Sequence, residues 1–307
     1  MESFEYSTNP TFYDWFIENA VKQTSSTATL AAADGWYKGE TDKSVITSLS
    51  IVDSYVPSGT ETEVWDASAG GDGNVMAYLN GTELTLAGNG TGSIESNEDS
   101  SYAFAGFSNV ASVQGLELLD TSKVTSMVGM FQGSFTSSID GADAEIGIAT
   151  YEVTPASETV SMSLDLRSWD VSSVTDMASM FSGVDAKSIN ITGWNYESLE
   201  NADGMFNGCA DVKVIYLGDF DTGNGCSTEG IFDGTQTGKA GPTVYVASTN
   251  VKDNLVSSND LQENTDELWD DNLNPSQIIV NASAGRSGNT QVMMLIPNRT
   301  ELYEYAA

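Results

Sequence analysis

The sequence contains no histidine, only two cysteines, and only 11 Lys or Arg residues against 44 Asp or Glu residues. The lack of histidine excludes the Ser-His and Cys-His nucleophile pairs and every zinc site with a histidine ligand. The formal net charge of −33 would repel nucleic acids and anionic membrane surfaces. We therefore expect no nucleic-acid partner.

Long apolar runs are absent as well. The stretch 28–33 is among the longest, and it is far shorter than the roughly 20 residues that a membrane-spanning helix needs. The first basic residue is Lys22, so the cationic start of a secretory signal is missing. These features predict a chain that does not insert into membranes and reaches its site of action without Sec-type export.

A repeat of about 25 residues dominates the middle of the chain. Residues 166–183 and 191–208 align at an offset of 25, and both end in Met-Phe-x-Gly. Related copies occupy 116–133 and 217–234. The shared phenylalanines are Phe131, Phe181, Phe206 and Phe232, and we expect them to form one continuous file in a common core.

Each copy carries two periodicities. Alternation in Met162, Leu164 and Leu166 predicts a short strand with one buried side. Val174, Met177 and Phe181 lie at i, i+3 and i+7, which predicts a helix of one to two turns. One strand and one short helix per copy predict an α/β repeat solenoid, in which neighbouring copies share the core.

The segment 169–183 reads Trp-Asp-Val-Ser-Ser-Val-Thr-Asp-Met-Ala-Ser-Met-Phe-Ser-Gly. It resembles the BspA-type leucine-rich repeat of bacterial surface proteins, the DUF285 family, and the resemblance covers about residues 62–256. It implies a BspA-like leucine-rich-repeat fold with short parallel strands and short helices. It also implies surface display and adhesion or recognition without catalysis. The sequence departs from the family pattern by lacking an export signal and by carrying an insertion.

Three segments follow from these patterns. Residues 1–61 are interpreted as an N-terminal cap or docking segment that contains a helix, residues 62–256 as the solenoid with an insertion at about 135–158, and residues 257–307 as a C-terminal cap with a β-hairpin. The hairpin is predicted from the apolar stretches 277–280 and 291–296. Candidate assembly contacts are Phe12, Phe16, Ile17, Met293 and Leu295.

The candidate recognition residues are Asp165, Asn190 and Tyr216, which align on the outward side of successive strands. A second column follows the strands, and we interpret its Asp and Asn side chains as turn formers and not as a metal ladder. The loop 70–74 resembles a glycine-aspartate calcium loop only in a single copy, which is more typical of a turn. No cofactor, metal or catalytic residue is expected. The turn column consists of Asp120, Asp170, Asn195 and Asp221.

Three classes of function are compatible with these patterns. The first is a non-enzymatic phage virion component, such as a capsid decoration, head fibre or tail appendage, on the exterior of the particle. The second is an adhesin on a bacterial cell surface. The third is a carbohydrate-active enzyme, for which the sequence has no positive signal. The expected partners are other virion or surface-assembly proteins and a host glycan or protein ligand.

Overall fold

The computed structural model describes residues 27–135, 162–220, 225–235, 241–259, 261 and 273–281. These residues form two five-stranded sheets, one two-stranded sheet and little helix. No helix in these ranges has the length and apolar composition needed to cross a bilayer. The strands are β1 Ser48–Val52, β2 Glu63–Asp66, β3 Met76–Asn80, β4 Glu83–Ala87, β5 Ile94–Glu95, β6 Ser112–Gln114, β7 Leu119–Asp120, β8 Ser163–Asp165, β9 Ser188–Asn190, β10 Val214–Gly218, β11 Thr243–Val246 and β12 Ile278–Val280, and the α-helices are α1 Ala33–Trp36 and α2 Thr249–Ser258.

The first sheet has the order β2-β3-β4-β1-β6. Strands β2, β3 and β4 are antiparallel neighbours, and β1 is parallel to both β4 and β6. Residues 63–87, which we expected within the repeat array, therefore form an antiparallel meander. Gly81 has φ +63° and begins the two-residue connection between β3 and β4, a position where hairpins favour glycine. The boundary expected at residue 61 falls inside this sheet, because β1, which precedes it in the chain, pairs with both β4 and β6.

The second sheet, β12-β11-β10-β9-β8, is parallel throughout. Strands β8, β9 and β10 come from successive copies of the sequence repeat, with Leu164, Ile189 and Ile215 buried in register. The short strands predicted in the repeats are confirmed. Strand β12 extends this sheet in parallel to β11, and the second strand of the predicted C-terminal hairpin lies outside the described residues.

The short helix predicted in each repeat is wrong. Asp176 forms isolated bridges to the neighbouring repeats and residues 178–183 form turns, because the backbone N–H groups of this segment alternate between two acceptors. The N–H of Met180 donates within its own turn to the carbonyl of Met177, whereas the N–H of Phe181 donates to the carbonyl of Met205 in the next repeat. The same alternation recurs in the other copies, and most of these bonds between repeats run from the earlier copy to the later one.

Two residues of every turn series adopt left-handed backbone conformations. The second of them is always glycine, at positions 106, 133, 183, 208 and 234. The first is Tyr102, Gly129, Ser179, Gly204 or Gly230, with φ between +55° and +63°. Such φ values are incompatible with a continuous right-handed helix, since L-residues avoid them.

We expect that Ser179→Gly raises the free energy of unfolding by roughly 0.5–1 kcal/mol. Glycine removes the strain of the left-handed backbone conformation, and this gain is larger than the extra conformational entropy that glycine loses on folding. Urea unfolding monitored by circular dichroism measures this change. The reciprocal variant Gly204→Ser, at the equivalent position of the next repeat, should lower stability by a similar amount. A loss of stability in Ser179→Gly would contradict this account of the turn.

The predicted phenylalanine file is confirmed. Phe131 stacks on Phe181 at 5.8 Å between ring centroids, and Phe181 stacks on Phe206 at 5.4 Å, with interplanar angles of 8° and 7°. Phe104 and Phe232 continue the file at its two ends. All five rings are at most 1% exposed. The repeats thus share one continuous core.

Direct contact joins the repeats on either side of residues 136–161. Besides the Phe131–Phe181 stack, the backbone N–H of Met127 donates to the carbonyl of Asp176 at 2.8 Å. The indole N–H of Trp169 donates to the carbonyl of Leu116 at 2.9 Å, just as that of Trp194 donates to Leu166 at 2.8 Å. These two copies are therefore spatial neighbours although 50 residues separate them in the sequence.

Candidate functional site

The outward face of the second sheet brings the three candidate recognition residues together. Asp165 pairs in register with Asn190, and Asn190 pairs with Tyr216. Asp165 and Tyr216 are exposed and Asn190 is half-buried, because side chains alternate between the two sides of a strand and the intervening residues fill the core. The predicted column is thus a continuous row across three strands.

The row continues beyond the predicted residues through Tyr245 and Ile279. The rings of Tyr216 and Tyr245 stack at 5.3 Å with an interplanar angle of 12°. Ile279 and its neighbour Val280 are 41% and 42% exposed. The outward face therefore changes from polar on β8 and β9 to aromatic and aliphatic on β10 to β12. The alternation in 243–246 and the apolar run in 277–280 were the sequence signals for these additional residues.

An ion pair marks the polar end of the face. The guanidinium of Arg167 donates to both carboxylate oxygens of Asp165, at 2.7 Å from Nε and 2.5 Å from the terminal nitrogen. Partial burial raises the pKa of Asp165, but the hydrogen bonds and the positive charge of Arg167 outweigh it and leave the pKa below its usual value. This carboxylate therefore stays ionised at neutral pH.

A cleft of about 790 Å³ opens at the same end, where the two five-stranded sheets meet. Its walls come from residues 50–53 at the end of β1, residues 113–118 in and after β6, and residues 163–168 in and after β8. Asp165 and Arg167 line it. A volume of this size is within the range of ligand-binding clefts.

Gly115 determines the position of one wall of the cleft. It has φ +80°, and a Cβ atom placed there would lie 1.9 Å from the carbonyl oxygen of Ile51. Glycine therefore allows the chain after β6 to press against β1. Strand β6 pairs with β1 and not with β8, so the sheet is interrupted between adjacent repeats.

The column of Asp and Asn residues after the strands forms turns, as predicted. The side-chain oxygens of Asp120, Asp170 and Asn195 accept backbone N–H bonds from the residues two positions later, at 3.0 Å in each case. Hydrogen bonds from Ser172 lower the pKa of Asp170. The bond from the Ser172 side chain has the larger effect and the bond from its backbone N–H the smaller one. Asp221 lies outside the described residues.

The loop at 70–74 uses its polar atoms internally. The two carboxylate oxygens of Asp72 accept hydrogen bonds from the backbone and side-chain amides of Asn74, and the side-chain oxygen of Asn74 accepts one from Asn89. This arrangement is a turn. In the described part of the chain, no group of three or more Cys, Asp or Glu side chains is placed to hold a metal ion.

Both cysteines are free thiols, as the sequence predicts. Cys209 is buried, and its thiol donates to the carbonyl of Phe181 at 3.0 Å. Burial raises the pKa of Cys209 to about 12 and that of Cys226 to about 11. Because the thiolate is the reactive form, neither side chain is activated as a nucleophile.

The candidate assembly contacts at the ends of the chain, Phe12, Phe16, Ile17, Met293 and Leu295, lie outside the described residues. Trp36, from the segment interpreted as a cap, stacks on Phe107 at 5.9 Å and contacts Phe104 at 5.6 Å. Its indole N–H donates to the carbonyl of Ala103 at 2.7 Å. Trp36 therefore covers the beginning of the phenylalanine file.

Comparison with known proteins gives one family. The family model described as "Mycoplasma protein of unknown function, DUF285" matches residues 98–219 and 151–252. Together the two matches span just over half of the 307 residues and include all the stacked repeats. No curated protein and no solved structure matches the chain. By its repeats and their shared core, the chain belongs to the DUF285 family.

Proposed function

We propose that this chain is a non-enzymatic surface protein whose repeats form a BspA-like leucine-rich-repeat solenoid and whose outward sheet face is a recognition surface. The observation that carries the proposal is the in-register row Asp165, Asn190, Tyr216, Tyr245 and Ile279 on that face. Half of the six large hydrophobic residues that are exposed in the described ranges lie on β10 to β12. Exposed apolar patches of this kind mark interaction sites.

The stacked repeats support the solenoid part of the proposal. Successive strands are parallel and in register, and successive phenylalanines stack in one file. Repeats that contact only their neighbours, and that bury a shared core, are the defining feature of solenoids. The carboxylates near the face support a passive role, because Asp165 is held by Arg167 and Asp170 by its own turn.

Two sites of display are proposed. We propose the exterior of a phage virion as the first, in line with the sequence analysis. The description of the matching family names a mycoplasma protein, and this cellular source favours an adhesin on a bacterial surface as the second. A host glycan or protein is the proposed ligand in both cases.

Mass spectrometry of purified particles and of surface-shaved cells decides between the two candidates. Antibody labelling of intact particles tests whether the chain is on the outside. Virion display predicts a stoichiometric amount of the chain in the particles, whereas adhesin display predicts peptides released from intact cells by protease. Detection only in the interior of lysed cells would contradict both.

The double variant Tyr216→Ala/Tyr245→Ala tests the recognition face. We expect at least a tenfold weaker binding of the full chain to host cells, since a few aromatic residues usually contribute most of the affinity of an interface. The matched control is Val56→Ala, because Val56 is 86% exposed but belongs to the loop after β1. Unchanged binding by the folded double variant would contradict the assignment of this face.

A further inference from the structure

Strand β8 has an open edge on the side of the cleft. Strands β9, β10 and β11 each pair with a described strand on both sides, whereas β8 pairs only with β9. Strand β6, on the opposite wall, is likewise the end strand of its sheet. The cleft of about 790 Å³ thus lies between two strand edges that no described strand covers.

The register identifies the backbone groups that face the cleft. The N–H of Leu166 donates to the carbonyl of Asn190, so Leu166 and Leu164, two residues earlier, direct their backbone groups toward β9. Successive residues of a strand direct their N–H and C=O groups to opposite edges. The backbone groups of Ser163 and Asp165 therefore face the open edge.

Contacts behind the cleft hold its two walls at a fixed separation. The indole of Trp169 bonds to the carbonyl of Leu116, and Met127 bonds to Asp176 in the adjacent turns. Gly115 keeps β6 against β1 on the other wall. A cleft that is already formed lowers the cost of ordering when a ligand binds.

The charges in the cleft favour a cationic ligand. Among the described residues, Asp53, Glu117 and Asp165 line it together with a single cation, Arg167, which is bound to Asp165. The net charge of −33 adds a negative field around the site. Apolar side chains, among them Val113 and Leu118, line the remaining wall. An alternating sequence of basic and apolar residues matches this combination.

We propose that the cleft binds an extended segment of a partner protein, which adds as a strand to the open edge of β8 and carries Lys or Arg side chains at alternate positions. Main-chain hydrogen bonds to Ser163 and Asp165 supply the affinity, and the acidic residues supply the specificity, as in other cases of strand addition. Asp165 belongs to both the cleft and the recognition face, but Tyr216 and Tyr245 do not line the cleft. The Tyr216→Ala/Tyr245→Ala variant therefore tests the recognition face without testing strand addition in the cleft.

Hydrogen exchange of the free full-length protein is the first test. We expect the amides of Ser163 and Asp165 to exchange at least tenfold faster than that of Leu164, which bonds to β9 and is the internal control. Equal protection of all three amides would overturn the proposal, because the edge would then already be filled by residues of this chain.

The second test uses a defined probe, a capped hexapeptide of alternating valine and lysine. We expect it to bind in calorimetry and to protect the amides of Ser163 and Asp165. Two matched peptides, one with glutamate for lysine and one N-methylated at valine, should bind at least tenfold more weakly. The glutamate peptide tests the charge, and the N-methylated peptide tests the backbone bonds.

Three protein variants complete the test. Asp53→Lys/Glu117→Lys should weaken binding of the valine-lysine peptide at least tenfold, whereas Glu200→Lys, an exposed acid on the turn side, should leave it within twofold. Ser163→Pro removes an N–H at the open edge. In this variant the peptide should no longer protect the amide of Asp165 from hydrogen exchange. Absence of binding by the wild-type chain, or equal binding of the N-methylated peptide, would overturn the proposal. Retained binding by the folded double-lysine variant would overturn it too.

Discussion

Replacing Phe181 by alanine is expected to lower the free energy of unfolding by about 3–5 kcal/mol, the range measured for large-to-small changes at fully buried aromatic residues. Phe181 is 0% exposed and stacks on rings of both neighbouring repeats, Phe131 and Phe206. Its removal creates a cavity at two repeat interfaces at once. Urea unfolding, with m-values compared between wild type and variant, measures the loss.

Phe181→Leu is the matched control for this prediction. It keeps most of the buried volume but loses the stacking, so its cost should be about 1–2 kcal/mol. Val56→Ala, at an exposed loop position, should change stability by less than about 0.5 kcal/mol. A cost below about 1 kcal/mol for Phe181→Ala would mean that the ring does not lie in a shared core.

Gly115→Ala should lower the free energy of unfolding by at least about 3 kcal/mol, because two effects act at the same residue. The left-handed φ of +80° strains any L-residue, and the added Cβ would lie 1.9 Å from a backbone oxygen of β1. A backbone atom cannot rotate away as a flexible side chain can. We expect the β1–β6 pairing to separate and the amides of β6 to lose protection in hydrogen exchange.

Gly133→Ala separates the two effects. Gly133 has φ +62°, and a Cβ there would meet no atom within 4 Å, so its cost should be only about 1–2 kcal/mol from backbone strain. Similar costs for the two variants would contradict a close approach of residue 115 to β1.

The core of the repeats could be predicted from the sequence because it depends on local periodicity. The phenylalanines recur at the same position of each copy, and in the structure the rings at this position stack on one another. The strand positions Leu164, Ile189 and Ile215 were predictable for the same reason. Stacking identical units in register converts a repeated sequence position directly into a spatial contact.

The turns were mistaken for helices because their apolar spacing is compatible with both. Val174, Met177 and Phe181 occur at helical intervals, yet their backbone bonds alternate between the same turn and the next repeat. The informative signal was the pair of left-handed positions, four residues apart, occupied by Gly204 and Gly208 in one copy and by Gly230 and Gly234 in another. Recurrent glycines inside an apolar pattern disfavour a helix.

The cleft had no local signature. It depends on the pairing of β1 with β6, whose paired residues Ser48 and Ser112 are 64 positions apart, and on the departure of β6 from the strand row of the repeats. No periodicity relates these segments. Asp165 was selected as an outward residue of a strand, but its place beside an open edge follows from tertiary pairing alone.

The direction of the hydrogen bonds between turns gives the stack an electrical polarity. Along the file, the backbone N–H groups of residues 102, 129, 179 and 204 all donate toward the later repeat. Their peptide dipoles therefore point the same way and add, as the peptide dipoles of a helix do. The carbonyl end near residues 102–106 therefore carries partial negative charge and the end near 230–234 partial positive charge. Glu229 and Asp233 are at that second end, so acidic side chains lie where the partial charge of the backbone is positive.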